Sequence, residues 1–375
     1  MARLGDICTV VSGSTPKTNI PEYWDGDVKW ITPAELNEDS CYLFDSQRHI
    51  SELGKEKTGL SYMPAGTVIL SSRAPIGKTA IAGCELCCNQ GFKNLICSDA
   101  IFNEYLYFFL KSKTVYLNSL GRGATFKEIS KSIVENIEIR LPSLEEQKKA
   151  AKQLGHIYHL ISLRKQQLSK LDELVKSRFI ELFGDCKNEV LIGDVISISR
   201  GASPRPISAF ITDREDGVNW IKIGDVSENS LYITKTEERI TPEGAKKSRM
   251  VHKGDFILSN SMSFGRPYIL GINGCVHDGW LIMSDFKETF NELYLYHAIR
   301  SDDVQYQFSG KVNGATVKNL NSDLVKKTFI KVPTMELQNQ FAAFVEQTDK
   351  SKFEIQKSLE KLETLKKALM QKYFG

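Results

Sequence analysis

Apolar residues follow two alternating regimes along this chain. Over residues 1–142 they come in short runs, such as GTVILSS (66–72) and IEIRL (137–141), broken by Gly and Pro turns. One helical stretch, NEYLYFFLKS (103–112), interrupts them. Short β-rich runs of irregular period between turn residues predict an α+β domain. Over residues 143–182 the pattern changes: there is no Pro, and Gly155 is the single internal Gly. Here Ile157, Ile161, Leu168, Leu171, Val175 and Leu182 recur at helical spacing. The same change recurs later, from DFILSNS (255–261) and FIKV (329–332) to Phe341, Phe344, Ile355, Leu359, Leu362 and Leu369. Ser143 and Thr334 each follow a Pro and precede acidic or Gln residues, the signature of an N-cap with a capping box. A helix of about 40 residues would run roughly 60 Å, and its apolar seam requires a partner helix.

The two regimes repeat because the chain is a duplication. LGDICTVVSGSTP (4–16) matches IGDVISISRGASP (192–204), and AGTVILSSRAPIG (65–77) matches KGDFILSNSMSFG (253–265), both 188 positions apart. FNEYLYFF (102–109) meets FNELYLYH (290–297) with one residue inserted, and GATFKEI (123–129) meets GATVKNL (314–320) at an offset of 191. LPSLEEQ (141–147) and VPTMELQ (332–338) continue the series to ELFG and KYFG, which end at Gly184 and Gly375. The expected organisation is a globular part at 1–142, a helix at 143–187, a second globular part at 188–333 and a second helix at 334–375. Antiparallel pairing of the helices would set the globular parts at opposite ends about an approximate twofold axis. One chain would then imitate a dimer, as DNA readers of two half-sites do. Because the copies have diverged, the half-sites should differ.

Composition narrows the chemistry. Lys and Arg (49) nearly balance Asp and Glu (46), so any DNA binding must use local patches rather than bulk charge. The first residues, MARLGDICTVVSG, carry no signal-peptide core and no run reaches the ~18–20 apolar residues of a membrane span; a cytoplasmic location is expected. The eight Cys are irregularly placed, as reduced thiols are. Cys84, Cys87 and Cys88 with Cys97 lack a second pair at finger spacing, which favours thiols over zinc. SSRAPIGKT (71–79) ends like a phosphate loop, but Ser72 stands where the first Gly belongs, and copy two has Arg266-Pro267 in place of Lys78-Thr79. No methyltransferase tetrad, H-E-x-x-H or G-x-S-x-G is present. No catalytic role is therefore expected.

The chain resembles the specificity (S) subunit of type I restriction–modification systems. The resemblance rests on SSRAPIGKTAIAG, NQGFKNLI, GATFKEIS, IRLPSLEEQKKAA and KSRFIELFGD in the family's order, with the second copy echoing them. It implies two target recognition domains reading the halves of a bipartite, asymmetric DNA sequence. The helices would form an antiparallel coiled coil that spaces them. It further implies two docked methylation subunits carrying S-adenosylmethionine, and restriction subunits using ATP and Mg, with no cofactor on this chain. A duplicated adaptor bridging two proteins without reading DNA is the alternative.

Base and phosphate contacts need Arg, Lys, Asn, Gln and hydroxyl donors on loops. The candidates are Lys17, Arg73, Lys78, Gln90, Lys93, Arg122, Thr125 and Lys127 in copy one. In copy two they are Arg200, Arg205, Ser261, Arg266, Asn313, Thr316 and Lys318. Positions shared by the copies, such as Thr125/Thr316 and Lys127/Lys318, suit a common job; positions that differ, such as Arg73 against Ser261, suit base reading. Lys78 and Arg266 suit phosphate. Partner docking is expected at Glu145, Glu146, Gln147 and Gln338, and at Leu160, Leu163, Leu174 and Leu365, which lie off the helix seam. Leu337 replaces Glu146 in copy two, so the two helix starts should not dock identically.

Overall fold

The computed structural model describes residues 1–37, 41–121, 127–226, 230–260, 264–309 and 320–375. Contacts divide the chain into two compact units, Met1–Leu168 with Glu354–Gly375, and Ser169–Phe353. Each unit thus holds the globular part of one copy together with segments of both long helices. The division cuts through the helices rather than at their ends.

Among the described residues of the first unit, a five-stranded sheet runs in the order Cys8–Ser12, Lys93–Cys97, Val68–Leu70, Thr79–Ala82, Tyr42–Leu43. A smaller sheet orders Arg48–Ile50, Trp24–Ile31 and Cys87–Cys88. The second unit repeats this with Ser197–Arg200, Trp280–Ser284, Phe256–Ser259, Pro267–Leu270 and Tyr232–Ile233. Its smaller sheet is Glu238–Ile240, Val218–Ile221, Gly274–Val276 and Arg249–Val251. The last strand corresponds to an isolated Met63–Leu86 bridge in the first unit.

The central strands read as unbroken apolar runs because both of their faces are buried. Strand side chains alternate between faces, and the core divides accordingly. Val68 and Leu70 join the cluster containing the helix Asn103–Ser112, whereas Ile69 joins the cluster under the small sheet. Phe256, Leu258 and Ile257 divide the same way in the second unit. A shift of one residue would exchange the two cores, so the pattern fixes the register.

The long helices are Leu144–Phe183 and Met335–Phe374, 40 residues each. Ser143 and Glu146 form the expected capping box, with Ser143 N–H and Oγ donating to Glu146 Oε2 at 3.1 and 2.8 Å. In the second helix Leu337 supplies no carboxylate, and Thr334 accepts from its N–H at 3.5 Å. In the first unit Ala150, Ala151, Leu154 and Phe374 belong to the sheet core. Tyr373 Oη donates to Gln153 Oε1 at 2.6 Å, and Lys366 lies 5.4 Å from the Tyr158 ring. In the second unit Phe341 packs on Phe183 at 5.5 Å, and Lys352 pairs with Asp172 at 2.6 Å. Within each unit residue numbers rise along one helix as they fall along the other, so the helices pair antiparallel there. No helix among the described residues is long and apolar enough to cross a membrane.

Candidate nucleic-acid interface

SSRAPIGKT closes a hairpin between the antiparallel strands Val68–Leu70 and Thr79–Ala82. A phosphate-binding loop would lead from a strand into a helix. Thr79 instead donates its hydroxyl to Ile69 C=O at 2.8 Å, and Lys78 Nζ donates to Leu36 C=O at 2.9 Å. Ser71 organises the turn: its Oγ accepts from Lys78 N–H at 2.9 Å and its carbonyl accepts from Gly77 N–H at 3.0 Å. Ser259, Arg266 and Gly265 repeat both bonds at 3.0 and 2.9 Å. Gly77 (φ 92°) and Gly265 (φ 68°) occupy the left-handed region that favours glycine.

Further loops meet this hairpin in the same way in both copies. Ser72 N–H donates to Gly91 C=O at 2.7 Å, and Asn260 N–H donates to Gly279 C=O at 3.0 Å. Ser72 and Asn260 carbonyls accept from Ile129 and Leu320, both at 3.0 Å. Ser14 N–H reaches Cys88 C=O at 3.0 Å, as Ala202 N–H reaches Val276 C=O at 3.1 Å. In each copy three loops and the segment leading toward the long helix therefore gather at one edge of the five-stranded sheet. The sequence neighbours of those bonds include most of the candidate contact residues.

In the first unit Lys17 and Lys127 are exposed, and so is Gln90, which accepts a hydrogen bond from the Thr15 hydroxyl. Arg73 Nε donates to Glu128 at 2.9 Å with the Arg73 side chain 45% exposed. Lys93 donates to the other Glu128 oxygen at 3.1 Å, and its side chain is only 9% exposed. Burial alone would raise the Glu128 pKa; the hydrogen bonds from Arg73 and Lys93 outweigh it and hold the carboxyl below its ordinary range. Lys93 and Lys78 are thus held inside the scaffold, whereas Lys17 and Lys127 are exposed.

In the second unit Asp278 gathers the polar side chains. It accepts from Ser203 Oγ at 2.8 Å and from Arg205 at 3.2 Å, while its carbonyl accepts from Arg200 Nε at 3.0 Å and Asn260 Nδ2 at 3.0 Å. The Ser203 hydrogen bond is the largest influence lowering the Asp278 pKa, so it stays a carboxylate. The Arg205 side chain is 78% exposed, and the Arg266 side chain is half-buried. Arg122, Thr125, Ser261, Asn313, Thr316 and Lys318 lie outside the described residues.

The docking candidates separate by burial. Leu160, Leu163, Leu174 and Leu365 are 40–49% exposed, and Glu145 is exposed. Glu146 is committed to its capping box. Gln147 and Gln338 are fully buried and offer a partner nothing. Gln147 Oε1 accepts from Phe102 N–H at 2.8 Å, and its amide donates to Ala100 C=O at 3.1 Å and Pro142 C=O at 2.9 Å. Gln338 makes the same three bonds with Asn291, Thr289 and Pro333. The shared Gln of the two helix starts ties each long helix to its own globular part.

Glu128 and Asp278 are absent from the sequence-level candidates, and for Glu128 the repeat contains the signal. Its counterpart is Asn319, while Arg73 aligns with Ser261 and Lys93 with Leu281. Three charges vanish together, as expected for a mutually dependent cluster. The cysteines likewise have non-metal partners: Cys84 Sγ meets Phe44 C=O at 3.2 Å and Cys88 Sγ accepts from Asn94 at 2.8 Å. Among the described residues no group of three metal-ligating side chains gathers.

The chain matches the family model described as "Type I restriction modification DNA specificity domain" over residues 1–173 and again over 186–367. The MjaIX specificity subunit of a type I restriction enzyme from Methanocaldococcus jannaschii is 43% identical over 197 residues, 51% of this chain and 45% of that protein. The chain thus aligns with less than half of that relative's length. The MjaVIII specificity subunit of the same organism is 23% identical over 99% of this chain and 90% of its own. The fold is that of the S subunit of a type I restriction–modification system from M. genitalium, with TM-score 0.59, 14% identity and coverage of 100% and 95%. It is also that of a chain from a structure of type I R-M complex assembly, with TM-score 0.61, 17% identity and coverage of 100% and 96%. Two family matches, one on each repeat, over a repeated loop framework establish that this chain belongs to the type I restriction modification DNA specificity family.

Proposed function

We propose that this chain is the DNA-reading component of a type I restriction–modification complex and is itself non-catalytic. Each globular part reads one half of a bipartite, asymmetric duplex target. The carrying observation is the pair of loop edges, equivalent in backbone bonding yet different in their side chains. A shared framework gives two copies the same approach to DNA, and different tip residues give them different bases to read. Lys17, Lys127, Arg200 and Arg205 supply phosphate or base contacts, with Arg73 beside them; Lys78 and Arg266 support the hairpin.

The exposed leucines Leu160, Leu163, Leu174 and Leu365 are the seats for two methylation subunits. Those subunits carry S-adenosylmethionine, and restriction subunits supply the ATP- and Mg-dependent steps, in the cytoplasm. The test is single-molecule sequencing of methylated adenines in cells making the full chain with its methylation subunit. One bipartite motif with unlike halves is expected. Absence of any motif that depends on this chain would refute the reading.

A further inference from the structure

Residues 90 and 278 are equivalent in the repeat, 188 positions apart. The backbone around them is nearly superposable in its bonding. Asn89 and His277 N–H donate to Ile31 and Ile221 carbonyls at 3.1 and 3.4 Å. Gly91 N–H donates to the Asn89 side chain at 2.9 Å, and Gly279 N–H lies 2.6 Å from His277 Nδ1. The hydroxyl two residues past Gly13 or Gly201, that of Thr15 or Ser203, holds the side chain at 90 or 278 in each copy. What changes is the hydrogen-bonding character of the tip. Gln90 is an exposed amide whose oxygen faces Thr15, and among the described residues no hydrogen bond occupies its Nε2. Asp278 is a carboxylate with 43% of its side chain exposed.

A carboxylate among Arg200 and Arg205 works against binding a polyanion unless it accepts from a base or orients an arginine, and Arg205 lies 3.2 Å from it. Ser203 and Arg205 take one lone pair on each oxygen, and a carboxylate has about four acceptor sites, so acceptor capacity remains. Gln matches the donor–acceptor edge of adenine, and Asp accepts from the cytosine amino group. Resting on the DNA-reading function proposed above, we propose that Gln90 and Asp278 are the paired specificity determinants of the two copies. Gln90 reads an adenine in one half-site and Asp278 reads a cytosine in the other.

The test uses the isosteric variants Gln90→Glu and Asp278→Asn, which alter hydrogen-bond polarity at constant shape. Each is made in the full chain with its methylation subunit, and the methylated motif is sequenced. Gln90→Glu should lose about tenfold of its adenine preference at one position of one half-site, with the other half unchanged. Asp278→Asn should relax a cytosine position in the opposite half only. Arg205→Ala should weaken methylation without changing the motif. The inference is overturned if both variants keep the parental motif, or if either degrades both halves together. It is also overturned for Asp278 if Arg205→Ala reproduces the Asp278→Asn motif, since Asp278 would then only position the arginine. A parental chain with no bipartite motif would instead overturn the DNA-reading function itself.

Discussion

Replacing Glu128 by the residue its counterpart carries, Asn, should destabilise the first unit, and replacing the whole cluster should not. Lys93 is 9% exposed at its side chain and 3.1 Å from Glu128. Removing one partner of a buried pair costs about 3–5 kcal/mol, because the remaining charge loses its compensation. Glu128 is 32% exposed, so solvent screening reduces this to ~2 kcal/mol. The Arg73 pair, with the Arg73 side chain 45% exposed, adds at most about 0.5 kcal/mol. At roughly 2–4 °C per kcal/mol for a domain of this size, Glu128→Asn should lower the melting temperature of that unit by about 4–10 °C.

The triple variant Arg73→Ser, Lys93→Leu, Glu128→Asn installs the copy-two residues together, and a well-packed apolar replacement of a buried ion pair is often neutral or stabilising. It should lie within ~1 kcal/mol of the parent. Calorimetry of the full chain, with each single variant alongside, measures the coupling directly. If Glu128→Asn costs less than about 0.5 kcal/mol, or if the triple variant equals the sum of the singles, the cluster is not a mutually dependent unit. Arg73 would then be free of the obligation that Glu128 places on it.

Gln338→Ala should cost the second unit about 2–4 kcal/mol, because it strands Asn291 N–H and two carbonyls inside the core; thermal melting checks it, and a loss under 1 kcal/mol would refute the tie. Gly77→Ala should cost about 1–2 kcal/mol from left-handed backbone alone, with the new Cβ also 3.0 Å from Thr114 Cγ2; the same melt reads it. Glu128, held below its ordinary range, contributes stability that is present above the unfolded carboxylate value near 4 and is lost as pH falls through the folded value. Acid titration of the triple variant should therefore show a shallower loss there than the parent. His297 is driven down to about 3, first by burial and then by Arg300 and Lys352, with Asp172 opposing. Its folded form resists protonation, so stability is full above the unfolded value near 6.5 and falls by about 1.4 kcal/mol per pH unit below it. His297→Phe, which restores the copy-one residue Phe108, should remove that slope; an unchanged slope in melts between pH 7 and 5 would refute it.

The fold was legible where a pattern has a single physical solution. The change from short runs to a Pro-free helical period marked both long helices, because forty residues with an apolar seam leave no other structure. The duplication made each strand assignment appear twice, so Val68–Leu70 and Phe256–Ser259 confirmed one another. The candidate interface was legible only as loops. A side chain's role depends on what stands opposite it, and sequence separation hides that: Arg73 and Glu128 are 55 residues apart, and Ser203 and Asp278 are 75 apart.

Comparing the copies one position at a time also gave an ambiguous rule. A residue that differs between them can read a different base or can belong to a structural cluster present in one copy only. Arg73 against Ser261 fits both descriptions. The distinction appears when differences are taken in groups. Arg73, Lys93 and Glu128 change together to uncharged residues and meet in space, so their difference is first a matter of mutual compensation. Gln90 and Asp278 differ while the hydroxyl, the backbone and the turn that hold them stay the same. A difference left over after the scaffold has been matched is not dictated by that scaffold, and the Arg205 side chain that pairs with Asp278 is itself 78% exposed. In a duplicated reader of two unlike half-sites, such a position is where selection for different bases can act without disturbing the fold.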